Sequence, residues 1–150
     1  MKRFRFRLDR LLELKRYRER QWEIKLAQAA GRCALIREQI QNRSNDIRRI
    51  KSVRQPGIGP IDISRLQAGE RYVRRMDHEI GVLDEELQSK ETERRQVQET
   101  YLEASKERKV LDKLRERREG QYYDHQKKED FKTADDMTLG RTARQGVKEG

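Results

Sequence analysis

The sequence predicts an all-α protein: a long antiparallel two-helix coiled coil, or helical hairpin, with a short Pro/Gly turn near residues 55–61 and a disordered C-terminal tail. Three observations predict it. Only 33% of the 150 residues are hydrophobic and 43% are charged, which is too little apolar material for an ordinary globular core but enough for a narrow seam. Apolar residues recur every 3.5 positions over two long stretches, the spacing that keeps one stripe against a partner helix. The only two prolines, Pro56 and Pro60, fall with Gly57 and Gly59 in the segment "SVRQPGIGPIDIS" between those stretches.

The first helix is expected over about residues 5–54. Its stripe reads Leu8, Leu12, Lys15, Glu19, Trp22, Leu26, Ala29, Cys33, Ile36, Ile40, Arg43, Ile47 and Ile50, and ten of the thirteen are apolar, counting Cys33. The Pro/Gly segment then interrupts the chain, with a loop length that suits an antiparallel helix pair.

The second helix is expected over about 62–130. Asp62 is placed to cap its first free N–H groups, with Ile61 and Leu66 as a hydrophobic staple; Ser64 with Gln67 is an alternative capping box. Its stripe reads Leu66, Gly69, Val73, Met76, Ile80, Leu83, Leu87, Lys90, Arg94, Val97, Tyr101, Ala104, Arg108 and Leu111. Beyond Ala104 the stripe blurs, because Val110, Leu111 and Leu114 compete for it. Gly120 is the first strong reason for fraying. Gly31, Gly69 and Gly81 each cost about 1 kcal/mol against alanine, which marks them for close contact or flexibility. Residues 1–139 thus form a single hairpin domain, and residues 140–150, glycine-rich and without periodicity, form the tail.

Charge is unevenly placed. Residues 1–54 hold 17 Lys/Arg against 6 Asp/Glu, whereas residues 55–150 hold 20 against 21, so the whole surplus of +10 sits in the first third. Nucleic acid, an anionic membrane surface and an acidic protein groove are all attracted by such a surplus. No apolar run approaches the ~20 residues needed to span a bilayer, and the N-terminus lacks the apolar stretch of a signal peptide. Asp9, Glu13 and Glu19 count against a mitochondrial presequence, which leaves the cytoplasm as the expected location. Cys33 is the single cysteine, so no internal disulfide forms.

Catalytic chemistry is not expected. "PGIGP" lacks the lysine and the strand–helix setting of a phosphate-binding loop. His78 and His125 lie far apart with Cys33 elsewhere, so no metal-ligand spacing occurs, and no cofactor is expected. Cys33 and Trp22 fall on the stripe, where packing explains them; Trp22 is also a candidate anchor for a partner. A basic-zipper DNA reader carries its basic helix directly before a zipper that pairs with another chain. The Pro/Gly break favours pairing within the chain instead, and the sign-alternating run "KERKVLDKLRERRE" suits a protein-facing helix better than a phosphate clamp. Nucleic-acid binding and a purely structural dimer remain the competing readings.

Two segments carry a resemblance. "FRFRLDRLLELKRYRERQWEIKLAQ" near the start, with its F-x-F-x-L-x-x-L-L opening, and "KERKVLDKLRERREGQYYDHQKKEDFKTADDMTLGR" near the end resemble the FliJ family of flagellar type III export. The order of parts is similar over most of the chain. The resemblance implies an antiparallel coiled coil similar to the stalk of the rotary ATPase gamma subunit. It implies insertion into the ring of the export ATPase (FliI-like), promotion of that ring's assembly and activity, and contact with the transmembrane export gate (FlhA-like). Escort of export chaperones is implied as well, as is a place at the cytoplasmic face of the inner membrane at the flagellar base. The injectisome stalks of the YscO type share the architecture and stand as the alternative.

A hairpin that turns at 55–61 gathers both basic termini at its other end. Phe4, Phe6, Leu8, Arg115, Arg117, Arg118 and Tyr122 are therefore the expected contacts with the ATPase ring, since arginine and aromatic anchors suit an interface. The family's gate contact, carried over to this chain, falls on Tyr72, Met76 and Leu83. Met76 and Leu83 also lie on the stripe, Tyr72 lies off it, and Glu79 departs from the small apolar residue expected between them. An elongated monomer is the expected solution state.

Overall fold

The computed structural model describes residues 2–53 and 59–149. Among them are two helices and no strand: α1, Asp9–Val53, and α2, Ile63–Lys148. The fold class is all-α, a helical hairpin. Of the expected turn at 55–61, Gln55 to Ile58 lie outside the described residues, and Gly59 to Ile61 are non-helical.

The helix ends follow from local chemistry. Asp62 caps α2 as expected: its Oδ1 accepts the Arg65 N–H at 3.3 Å, and its carbonyl accepts the Leu66 N–H. Ser64 lies inside the helix rather than at its cap. α1 begins at Asp9, not near residue 5. Residues 2–6 have no regular structure, Arg7 and Leu8 form a turn, and the Phe6 carbonyl accepts the Asp9 N–H at 3.2 Å. The period-two pattern Phe4, Phe6, Leu8 explains the late start, because alternation suits an extended chain and a helix would scatter the three around its axis.

α2 continues far beyond 130, and the segment expected to be a disordered tail from Gly140 is helical as far as Lys148. No proline follows Pro60, and extending a formed helix is far easier than nucleating one. Gly120, Gly140 and Gly146 each cost only about 1 kcal/mol and do not stop it. The hydroxyls of Thr133, Thr138 and Thr142 donate to the carbonyls of Glu129, Ala134 and Thr138, which satisfies them along the helix. Lys148 in the last turn complements the helix dipole.

The chain divides into two compact units, the first made of residues 1–18 and 105–150, the second of residues 19–104. In the second unit α1 and α2 pair antiparallel: Arg37 bonds Glu91, and Arg43, further along α1, bonds Glu79, earlier on α2. Ala29, Cys33, Ile36, Val73 and Met76 are its buried apolar residues, and all five belong to the two stripes. Its α1 portion, residues 19–53, carries 8 Lys/Arg against 4 Asp/Glu, and its α2 portion, residues 63–104, carries 7 against 10. The helices there are complementary in charge. Gly31 and Gly81 have nothing within 4 Å of an added Cβ, so close approach is not their reason.

In the first unit the pairing is again antiparallel. Asp9 meets Arg115, Lys15 meets Glu107, and Phe4 meets Tyr122. Leu12, Phe6 and Ser105 are buried. All thirteen positions of the α1 stripe are at least partly covered, as are all positions of the α2 stripe except Leu66. Past Ala104 a covered row continues as Arg108, Asp112, Arg115, Glu119, Tyr122 and Gln126, a spacing of four and three carried by polar side chains, with Ser105, Leu111 and Leu114 covered beside it. From Lys127 to Glu149 every residue is exposed.

Candidate interaction surface

The charge surplus concentrates in the first unit. Its two segments hold 21 Lys/Arg against 12 Asp/Glu, a net of +9, while residues 19–104 hold 16 against 15. A potential of this size attracts acidic partners over about a Debye length.

Part of that charge is spent internally. Lys15 Nζ lies 2.7 Å from Glu107 Oε2, Arg16 reaches Asp112 Oδ1 at 3.0 Å, and Arg108 reaches Asp112 Oδ2 at 2.6 Å. Arg115 Nε faces Asp9 Oδ1 at 3.5 Å, an ion pair longer than a good hydrogen bond. The hydrogen bond from Lys15, reinforced by its charge, holds the Glu107 carboxyl below the usual range. Burial pushes Asp112 upward, but the hydrogen bonds and charges of Arg108 and Arg16 outweigh it and its carboxyl also titrates low. Lys15–Glu107, Arg16–Asp112 and Arg115–Asp9 join α1 to α2, while Arg108–Asp112 lies within α2.

The sequence-predicted ring contacts all belong to this unit, with different surroundings. Phe4 and Tyr122 form a tilted ring pair with centroids 5.6 Å apart, and Tyr123 meets Tyr122 edge-on at 5.5 Å. The Tyr122 hydroxyl donates to the Lys2 carbonyl at 2.8 Å. Leu8 is partly covered, and Phe6 is only 7% exposed, so its ring packs inside the unit rather than on its surface. Arg115 is engaged with Asp9, whereas Arg117 and Arg118 are exposed. Their guanidinium groups are thus open to a partner without loss of an internal ion pair among the described residues.

The expected gate contacts lie in the second unit. Met76 is 7% exposed and Leu83 partly covered, in line with their stripe positions. Tyr72, expected off the stripe, is also partly covered, with the Arg75 guanidinium 5.6 Å from its ring centroid. Glu79, the departure from the carried-over pattern, is the partner of Arg43. In the same unit the hydrogen bond from Arg94, with the Arg37 charge beside it, lowers the Glu91 carboxyl below its usual range.

Periodicity of apolar residues could not find Asp9, Glu107 and Asp112, because the residues that fix the first unit are charged. The signal available was the same four-three spacing read without regard to polarity. No helix among the described residues is long and apolar enough to cross a membrane, and no cluster of His, Cys, Asp or Glu among them could hold a metal ion.

Two charged helices paired antiparallel, with one strongly cationic unit, define an α-helical interaction protein of the antiparallel coiled-coil class. The family model of the flagellar FliJ protein matches residues 4–146, and the chain belongs to that family of flagellar export stalk proteins. No curated protein and no solved structure matched the chain.

Proposed function

We propose that the chain is the stalk that inserts into the ring of a FliI-like export ATPase, promotes its assembly and activity, and links it to a FlhA-like transmembrane gate. The first unit is the part that enters the ring. The single observation that supports this reading is the concentration of +9 of the +10 net charge in that unit, beside the Phe4–Tyr122 ring pair and the exposed Arg117 and Arg118. Arginines beside rigid aromatic rings are the residues that anchor interfaces.

In this reading Phe4, Leu8, Arg117, Arg118 and Tyr122 meet the ATPase, while Phe6 and Arg115 hold the unit together behind them. The gate is met in the second unit at Tyr72 and Leu83, with Met76 packing beneath. Export chaperones are escorted by the same protein, which works at the cytoplasmic face of the inner membrane without inserting into it.

The test is ATPase stimulation by the full chain and by the R117E/R118E variant at several ionic strengths. The variant is expected to stimulate less, with the difference shrinking as salt rises and screens the wild-type contact. Equal stimulation at low salt removes Arg117 and Arg118 from the contact and with them the basis of the assignment.

A further inference from the structure

Residues 2–8, ahead of α1, form a strap with two different sides. Arg3, Arg5 and Arg7 are exposed; between them Phe4 is partly covered, Phe6 is buried and Leu8 is partly covered. A period of two is that of an extended chain, whose successive side chains point to opposite sides.

The strap is fastened to α2 at two points: the Phe4 ring packs tilted against Tyr122, and the Lys2 carbonyl accepts the Tyr122 hydroxyl; the Phe6 carbonyl accepts the Asp9 N–H where the strap turns into α1. The outer side carries three exposed guanidiniums, Arg3 and Arg5 on the irregular stretch 2–6 and Arg7 in the turn that leads into α1. None of the three has an acidic partner among the described residues, whereas Lys15, Arg16, Arg108 and Arg115 of the same unit are all paired.

We infer that the Lys2–Leu8 strap is a docking edge for an acidic protein segment, with Arg3, Arg5 and Arg7 each meeting a carboxylate and Tyr122 acting as the positioning residue that holds the edge in place. The inference rests on the stalk reading in one respect: the acidic segment is placed on the export ATPase. A membrane surface fits poorly, because interfacial binding needs a large apolar face turned outward, and here Phe6 is buried and Phe4 and Leu8 are half covered. A phosphate backbone fits poorly as well, because the α2 stretch that receives the strap carries Glu116, Glu119 and Asp124 among its basic residues. A short acidic segment meets only the arginine row, and guanidinium forks suit carboxylates.

The experiment measures the affinity of the full chain for the purified export ATPase at about 150 mM salt. The R3E/R5E/R7E variant is expected to bind about tenfold more weakly with an unchanged melting temperature, since the three side chains are exposed and have no acidic partner among the described residues. Tyr122→Phe removes one hydroxyl and keeps the ring. Its helix content and melting are expected to stay as in the wild type, its amides 3–7 to exchange faster, and its affinity to fall about threefold. Wild-type affinity in the triple variant, beside a weakened R117E/R118E variant, overturns the docking edge and leaves the stalk reading standing. Absence of ATPase binding by the wild type overturns both. Vesicles containing phosphatidylglycerol and a mixed-sequence single-stranded DNA serve as the remaining probes, and strap-dependent capture by either at the same salt overturns the acidic-protein assignment.

Discussion

Arg43 and Glu79 face each other between α1 and α2, the guanidinium Nε donating to the carboxylate Oε2 at 2.8 Å. Arg43 is one of three charged residues on a thirteen-position stripe that is otherwise apolar, and Glu79 lies across from it on α2. Each charge answers the other. A polar pair at a coiled-coil seam contributes little net stability but matches only one register.

Arg43→Ala is therefore expected to cost about 0.5–1 kcal/mol, discounted because both side chains are about one-third exposed. A double-mutant cycle with Glu79→Ala, read by chemical denaturation, is expected to show a coupling of about 0.5 kcal/mol. The R43L/E79L variant is expected to melt no lower than the wild type while admitting alternative pairings, seen as broadened or doubled amide signals.

Buried stripe residues carry the larger costs. Leu12 is 1% exposed, and Leu12→Ala is expected to destabilise the chain by about 2–4 kcal/mol. Cys33 is fully buried, so its thiol is expected to resist modification in native protein and to react once denaturant is added. Rapid labelling without denaturant would contradict the packing of α1 on α2 at that position.

Gly31 and Gly81 point the other way. Both are helical, and an added methyl meets nothing within 4 Å. Gly31→Ala and Gly81→Ala are each expected to raise stability by about 0.5–1 kcal/mol, additively, since no shared partner couples them. A destabilising effect of either would show a contact at the glycine.

Acid is expected to loosen the first unit. Glu107 and Asp112 have carboxyls lowered by Lys15, Arg108 and Arg16, against ordinary values of 4.5 and 3.8. A carboxyl lowered on folding contributes stability that is complete above its unfolded value and is lost as pH falls through the folded one. Melting temperature should thus hold steady from neutral pH down to the upper edge of the carboxylate range and fall below it. Lys15→Met is expected to reduce that fall by removing the cause of the Glu107 shift; an unchanged acid profile would contradict its role.

The end of α2 is expected to be dispensable for folding. Every residue from Lys127 to Glu149 is exposed, so a chain ending at Gln126 loses helical signal but keeps its melting temperature. A drop in melting temperature would show packing by that segment.

The two stripes were readable in the sequence because apolar side chains repeat where the helices touch, and Leu12, Ala29, Cys33, Ile36, Val73 and Met76 lie where the spacing puts them. The pairing past Ala104 was only partly so, because Leu111 and Leu114 are covered there together with Arg108, Asp112, Arg115 and Glu119, and an ion pair leaves no apolar trace. The start of α1 is legible only from the period of two at Phe4, Phe6 and Leu8, which runs against the helix expected from about residue 5. The length of α2 was underestimated because glycine was given the weight of a stop, and without proline its cost is too small to act as one.

The most direct test of the central claim, that the cationic first unit is the part that meets the export ATPase, is site-specific photo-crosslinking of the full chain. A photoreactive amino acid placed at Tyr123, or in a second variant at Tyr72, is irradiated in the presence of the purified ATPase. The account predicts crosslinks to the ATPase from position 123 and none from position 72. Crosslinks from position 72 with none from position 123 would contradict it.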